Sequence, residues 1–119
     1  MLKTIAWKAN ILAISYKKYG HSIPRKEICE RLKNPIYCPY CEILIPVKDL
    51  SIDHIKPLSR GGSNSKLNLH LTCMSCNKMK GAFTHQEFLT LLNLTKLDTE
   101  FYRILKARLK ASGGFIYRK

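Results

Sequence analysis

Two Cys-x-x-Cys pairs constrain this chain more than anything else in it. They read Cys38-Pro39-Tyr40-Cys41 and Cys73-Met74-Ser75-Cys76, with a long insert between them. A tight turn carrying two thiolates delivers both to one ion, and four thiolates suit Zn²⁺, which accepts tetrahedral sulfur ligation without strain. A ligand set of four sulfurs is closed, so such an ion is structural rather than catalytic. An iron–sulfur cluster is the rival reading, but it calls for a redox partner or an iron–sulfur spacing pattern that the chain does not display. A disulfide framework is the other rival, yet it does not require tight pairs. The fifth cysteine, Cys29, lies in a helical pattern away from the pairs and reads as a buried free thiol. The chain has 119 residues, enough for one domain with a modest core, which a metal staple would help to hold. Removing the ion should unfold at least the region it ties, because binding energy at such a site is folding energy.

The insert carries residues suited to chemistry. Leu50-Ser51-Ile52 leads as a strand into Asp53-His54, and Pro57 ends it by removing a ladder donor. Hydrolysis of a phosphodiester needs a deprotonated water, an offset to the phosphate charge and a stabilised leaving oxygen. Neutral imidazole at His54 takes a proton near pH 7. A carboxylate at Asp53 can hold a hard divalent cation for the other two tasks. Successive strand residues point to opposite faces, so the two side chains can flank one phosphate. Residues Ser59 to Lys66 form a loop containing Gly61-Gly62, and a return strand is expected over Leu69 to Thr72. The second cysteine pair opens a short helix that Gly81 would cap.

In their joint order these residues resemble the HNH nuclease family, the ββα-metal endonucleases. The resemblance covers roughly the middle third of the chain, from Tyr37 to Gly81. It implies an α+β fold: a treble-clef-like ββα-metal core stapled by zinc and flanked by N- and C-terminal helices. It implies Asp53 as a metal ligand, His54 as general base, and Asn68 as a brace that hydrogen-bonds backbone and orients the histidine. The last motif position falls at Asn77, where many members have histidine, so the chain is an H-N-N variant. The HNH domains of RNA-guided nucleases carry a similar asparagine that still binds metal, which implies Asn77 as the second ligand. An amide oxygen is harder than an imidazole nitrogen, so Mg²⁺ or Mn²⁺ is the expected catalytic cation rather than Zn²⁺ or Ni²⁺. The family context also implies a phage, mobile-element, restriction or defence setting.

Charge agrees with a polyanionic partner. Twenty-one Lys and Arg against eight Asp and Glu leave a net charge of +13. Lys80, Arg60, Lys56, Lys66 and Lys78 cluster around the motif as candidate phosphate contacts, with Lys80 first and Arg60 second. DNA is the expected partner. The N-terminal apolar run is interrupted by Lys8 and Asn10 and is too short to span a bilayer, so no membrane association and a reduced cytoplasmic setting are expected.

The flanks read as helices that complete one domain. Residues 1–36 form a helical extension, 37–83 the zinc-stapled core and 84–119 the C-terminal helices. The first helix, Thr4 to Tyr19, carries Ile5, Trp7, Ile11, Leu12, Ile14, Tyr16 and Tyr19, much of which fits one amphipathic face, with Lys3, Lys8, Lys17 and Lys18 toward water. The second starts near Pro24, buries Ile28, Cys29 and Leu32, and ends at Asn34-Pro35. Thr84 to Glu87 spells a capping box ahead of Phe88, Leu89, Leu91 and Leu92. A last helix from Thr99 to about Ala111 would bury Phe101, Ile104, Leu105 and Leu109. The expected activity is nicking of DNA by a metal-dependent endonuclease. The alternative is a zinc-stapled nucleic-acid-binding protein without turnover, and a zinc scaffold for protein partners is a weaker third.

Overall fold

A computed structural model describes residues 2–116, with side chains from Thr4 onward. Residues 117–119, the end of a tail whose state the sequence leaves open, lie outside the described residues. The elements run α1 (Leu2–Lys18), α2 (Arg25–Leu32), β1 (Leu50–His54), β2 (Leu69–Cys73), α3 (Met74–Lys80), α4 (His85–Thr95) and α5 (Thr99–Ser112). Among the described residues there are thus five helices and one two-stranded antiparallel sheet, an α+β fold. No described helix is long and apolar enough to cross a membrane.

The hairpin is the centre of the fold, and its register decides what faces what. Leu50 pairs with Cys73, Ile52 with Leu71 and His54 with Leu69, while Ser51 pairs with Thr72 and Asp53 with His70. Alternation therefore gives the hairpin one face of Leu50, Ile52, Leu71 and His54, and another of Ser51, Asp53, His70 and Thr72. Helix α1 packs against β1, and α3 lies across the Ser51–Asp53 face. The core joins Ile5, Ala9 and Leu12 of α1, Ile28 and Leu32 of α2, Leu50 and Leu71 of the hairpin, Tyr40, Met79 of α3, and Phe88 and Leu92 of α4.

The first helix corrects the sequence reading. Its buried stripe is Ile5, Lys8, Ala9 and Leu12, whereas Trp7, Ile11 and Ile14 face outward. Lys8 was expected in water, but it is 5% exposed and donates from Nζ to the carbonyl of Leu50 at 3.1 Å. Its aliphatic stem fills core space while its ammonium satisfies a strand-end acceptor. Burial lowers its pKa, against a smaller upward pull from Asp49. Ile5 and Leu12 are buried and Lys17 and Lys18 exposed as hydropathy predicts; Lys8 departs from it because it finds a buried carbonyl, and Trp7, Ile11 and Ile14 because they find no wall.

A similar correction applies to α5, where Phe101 and Ile104 are exposed and Tyr102 and Leu109 pack toward the core. Its N-terminus is capped by Asp98, whose carboxylate accepts from the Phe101 amide at 2.9 Å. The capping box of α4 forms as the sequence predicts: Thr84 Oγ1 accepts from the Glu87 amide, and Glu87 Oε1 from the Thr84 amide. Beyond α5 the chain returns to the end of α3. The Ala82 amide donates to the Phe115 carbonyl at 2.7 Å, and the Phe83 and Phe115 rings stack at 4.0 Å. Gly114 permits this approach, since a Cβ there would lie 2.2 Å from the Lys78 carbonyl oxygen.

Candidate active site and zinc centre

The sulfur atoms of Cys38, Cys41, Cys73 and Cys76 all lie within 4.8 Å of one another. Local structure explains each half. In the first pair the Cys38 amide donates to the Ile43 carbonyl and the Glu42 amide to the Cys38 carbonyl, both at 2.9 Å, with Glu42 at a φ of 64° to close the turn. In the second, Cys73 ends β2 and caps α3, its Sγ accepting from the Cys76 amide at 3.3 Å. Four sulfurs this close cannot all carry charge without a cation. The Cys76 thiol hydrogen-bonds Cys38 and holds it down to about 4, while Cys76 itself is pushed up by that bond and by burial. Burial likewise pushes Cys41 up. A divalent ion resolves the conflict by binding all four thiolates, and the donor set fits zinc.

Asp53 stands at the centre of a buried polar cluster. It is 3% exposed, and both carboxylate oxygens accept. Lys80 Nζ donates to Oδ1 at 3.0 Å, the Tyr40 hydroxyl donates to Oδ2 at 2.8 Å, and His70 Nε2 donates to the same Oδ2 at 2.6 Å. His85, at the start of α4, places Nδ1 3.1 Å from the Tyr40 hydroxyl. Burial alone would raise the Asp53 pKa, but the His70 bond, the Lys80 charge and the Tyr40 hydroxyl outweigh it and hold the carboxyl below its ordinary range. Tyr40 moves the other way, raised first by burial and then by the Asp53 charge. Burial and the neighbouring His70 lower His85.

This arrangement corrects two expectations. Lys80, the leading candidate for a phosphate contact, is 1% exposed and spends its ammonium on Asp53 Oδ1 and, at 2.7 Å, on the His54 carbonyl. It sits one turn along α3 from Asn77, on the side that meets the hairpin, where a buried carboxylate needs a cation. The second concerns the oxygen pair Asp53 and Asn77. Asn77 presents its amide nitrogen to β1, donating to Ser51 Oγ at 2.5 Å and to the Ile52 carbonyl at 3.0 Å. With Asp53 buried and already neutralised by the Lys80 ammonium, and Asn77 turned nitrogen-first, the two do not fit a shared divalent cation as arranged.

His54 ends β1 on the opposite face from Asp53 and is partly exposed. Its Nε2 lies 2.8 Å from Asn64 Oδ1, and the Tyr19 ring meets it edge-on at 4.8 Å. Asn68 ties the loop to the strand end: its Oδ1 accepts from the Lys56 amide at 2.8 Å, and its Nδ2 donates to the carbonyls of Lys56 and Ser63 at 2.9 and 2.7 Å. Gly62 sits where a Cβ would lie 1.8 Å from the Lys56 carbonyl oxygen.

The remaining basic candidates divide. Lys56, Lys66 and Lys78 are exposed. Arg60 is partly buried, pairs with Glu87 and reaches the Ala82 carbonyl at 3.5 Å, so it fastens the loop to the start of α4. The Arg60 hydrogen bond in turn lowers the Glu87 pKa.

The structure adds Tyr40, His70 and His85 around Asp53, and Asn64, Tyr19 and His21 around His54, none of which the sequence motif singles out. The hairpin register was the available signal for His70, since it faces Asp53 directly across the sheet. Tyr40 lies between two cysteines and carries no pattern of its own. Residues 38–83 match the family model described as HNH endonuclease. A comparison with curated proteins found no match. The matched stretch, residues 38–83, holds the four clustered sulfurs, the Asp-His hairpin and the short helix that starts at the second cysteine pair, and it is this stretch that is similar to the HNH endonuclease family.

Proposed function

We propose that this protein is a DNA endonuclease in which His54 is the general base. The observation that carries the reading is the placement of His54: partly exposed, at the end of β1, beside a loop that Asn68 pins by three hydrogen bonds. A base must be held still and remain reachable, and this position supplies both. His54 would take the proton of a water attacking phosphorus. The backbone of β1 that carries it is tied by Lys80 to the buried Asp53, so the histidine rides on a rigid strand end. Exposed Lys56, Lys66 and Lys78 would meet flanking phosphates, a salt-sensitive attraction that the charge of +13 reinforces.

HNH nucleases use a divalent cation to offset charge on the phosphate and leaving oxygen. The expected ligands, Asp53 and Asn77, are engaged within the protein and as arranged do not fit such an ion. The test is nicking of supercoiled plasmid by the zinc-loaded protein with Mg²⁺ or Mn²⁺, beside His54→Ala. Cutting by the wild type and its loss in the variant support the reading; equal residual cutting by both overturns it. A monomer with one site should leave nicks before linear product.

The second reading, a nucleic-acid-binding protein without turnover, is favoured by the burial of the Asp53 carboxylate and its pairing with Lys80. It predicts DNA retention in a gel shift and no nicking with Mg²⁺, Mn²⁺, Zn²⁺ or Ni²⁺.

A further inference from the structure

We infer that Asn64 is the positioning residue for His54, fixing its tautomer and its ring, and that the N-terminal extension holds Asn64 in place. The inference deepens the nuclease reading and rests on it. The Asn64 amide oxygen lies 2.8 Å from His54 Nε2. A carbonyl oxygen only accepts, so Nε2 must carry the proton, and the lone pair of the neutral ring is then on Nδ1. Nδ1 is thereby assigned as the nitrogen that receives the proton from water.

The loop holding Asn64 is fastened on every side. His21, in the segment between α1 and α2, donates from Nε2 to the Asn64 carbonyl at 2.5 Å. The preceding carbonyl, of Ser63, accepts from Asn68 Nδ2 at 2.7 Å. Next in the chain, Ser65 caps a short 3₁₀ turn at Lys66–Asn68 by accepting from the Leu67 amide. Two residues earlier, Gly62 is packed too tightly against the Lys56 carbonyl to admit a side chain. From the same N-terminal segment Tyr19 closes the other side of the imidazole, edge-on at 4.8 Å. Residues 19–21 therefore meet both the base and the group that orients it. This gives the helical extension a part in the active site beyond completing the core.

The test pairs two near-isosteric changes in the zinc-loaded full chain. Asn64→Leu removes the acceptor; Asn64→Asp keeps an acceptor oxygen at the same place. In plasmid nicking, Asn64→Leu should lower kcat by about 10- to 100-fold with KM within about twofold, and Asn64→Asp should stay within about threefold of wild type. In parallel, ¹⁵N–¹H correlation spectra of the histidine rings should show His54 of the wild type protonated at Nε2, with that preference lost in Asn64→Leu. A rise in KM with kcat intact, an Asp variant as slow as the Leu variant, or a wild-type His54 protonated at Nδ1 would each overturn the inference. If the wild type fails to cut DNA, the nuclease reading falls, and the tautomer spectrum still decides whether Asn64 orients His54. If Asn64→Leu fails to fold, the Asp variant and the wild-type spectrum carry the decision.

Discussion

Replacing the buried Lys80 by Met should destabilise the protein strongly. The side chain is 1% exposed and its ammonium makes two bonds, to Asp53 Oδ1 at 3.0 Å and to the His54 carbonyl at 2.7 Å. Methionine fills similar space, so the cost is electrostatic: a carboxylate only 3% exposed loses its cation and keeps two hydrogen bonds. Breaking one side of a buried pair costs about 3–5 kcal/mol, a large share of the roughly 5–15 kcal/mol that holds a domain together. Urea unfolding followed by circular dichroism, at fixed free Zn²⁺, measures it.

The pH dependence gives a second reading of the same variant. In the wild type the Asp53 pKa is depressed, so its contribution is present above the unfolded value of about 3.9 and is lost as pH falls through the lower folded value. Without Lys80, burial opposes the His70 and Tyr40 bonds without the ammonium's help, and the folded pKa rises. The variant is then penalised at pH 7, and the gap to wild type narrows on acidification as Asp53 takes up a proton. Because the pair is buried, added NaCl should leave the gap nearly unchanged. A loss below about 1 kcal/mol, the value of an exposed pair, would refute the account of Asp53 as a buried carboxylate neutralised by α3.

Chelation should unfold the stapled region: excess EDTA is expected to abolish cooperative unfolding, and Zn²⁺ to restore it, because four thiolates within 4.8 Å of one another repel unless an ion neutralises them. Tyr40→Phe removes the hydroxyl that bonds Asp53 and lies near His70 and His85; about 1–3 kcal/mol should be lost in the same urea assay. Gly62→Ala places a methyl 1.8 Å from the Lys56 carbonyl oxygen, so the Asn68-pinned loop must shift. Nicking should drop more than thermal stability in that variant, and unchanged turnover would show that the loop does not hold the base.

How much was legible depended on whether a signal was local. The cysteine pairs, the Asp-His strand end, the capping box at Thr84–Glu87 and the helix closed by Gly81 are short patterns whose chemistry acts within a few residues. The structure forms all of these elements. Lys8 and Lys80 were misread for one reason: composition places lysine in water, and only packing can supply a buried carbonyl or carboxylate that makes burial favourable. Trp7, Phe101 and Ile104 erred in the opposite direction, since hydrophobicity states a preference and only a neighbouring surface can satisfy it.

The site shows the same division. From the chain alone came the residue types for a zinc staple and for proton abstraction, because ligand chemistry and pKa belong to side chains. The tertiary structure alone put His70 against Asp53 through the hairpin register, brought Lys80 beneath them along α3, and carried His21 and Tyr19 across to His54 and Asn64. Those partners are far apart in sequence, and no local pattern encodes them. Sequence named the candidate groups; which of them stay exposed and which neutralise one another was decided by packing in a low-dielectric interior, where an unpaired charge is too costly to keep.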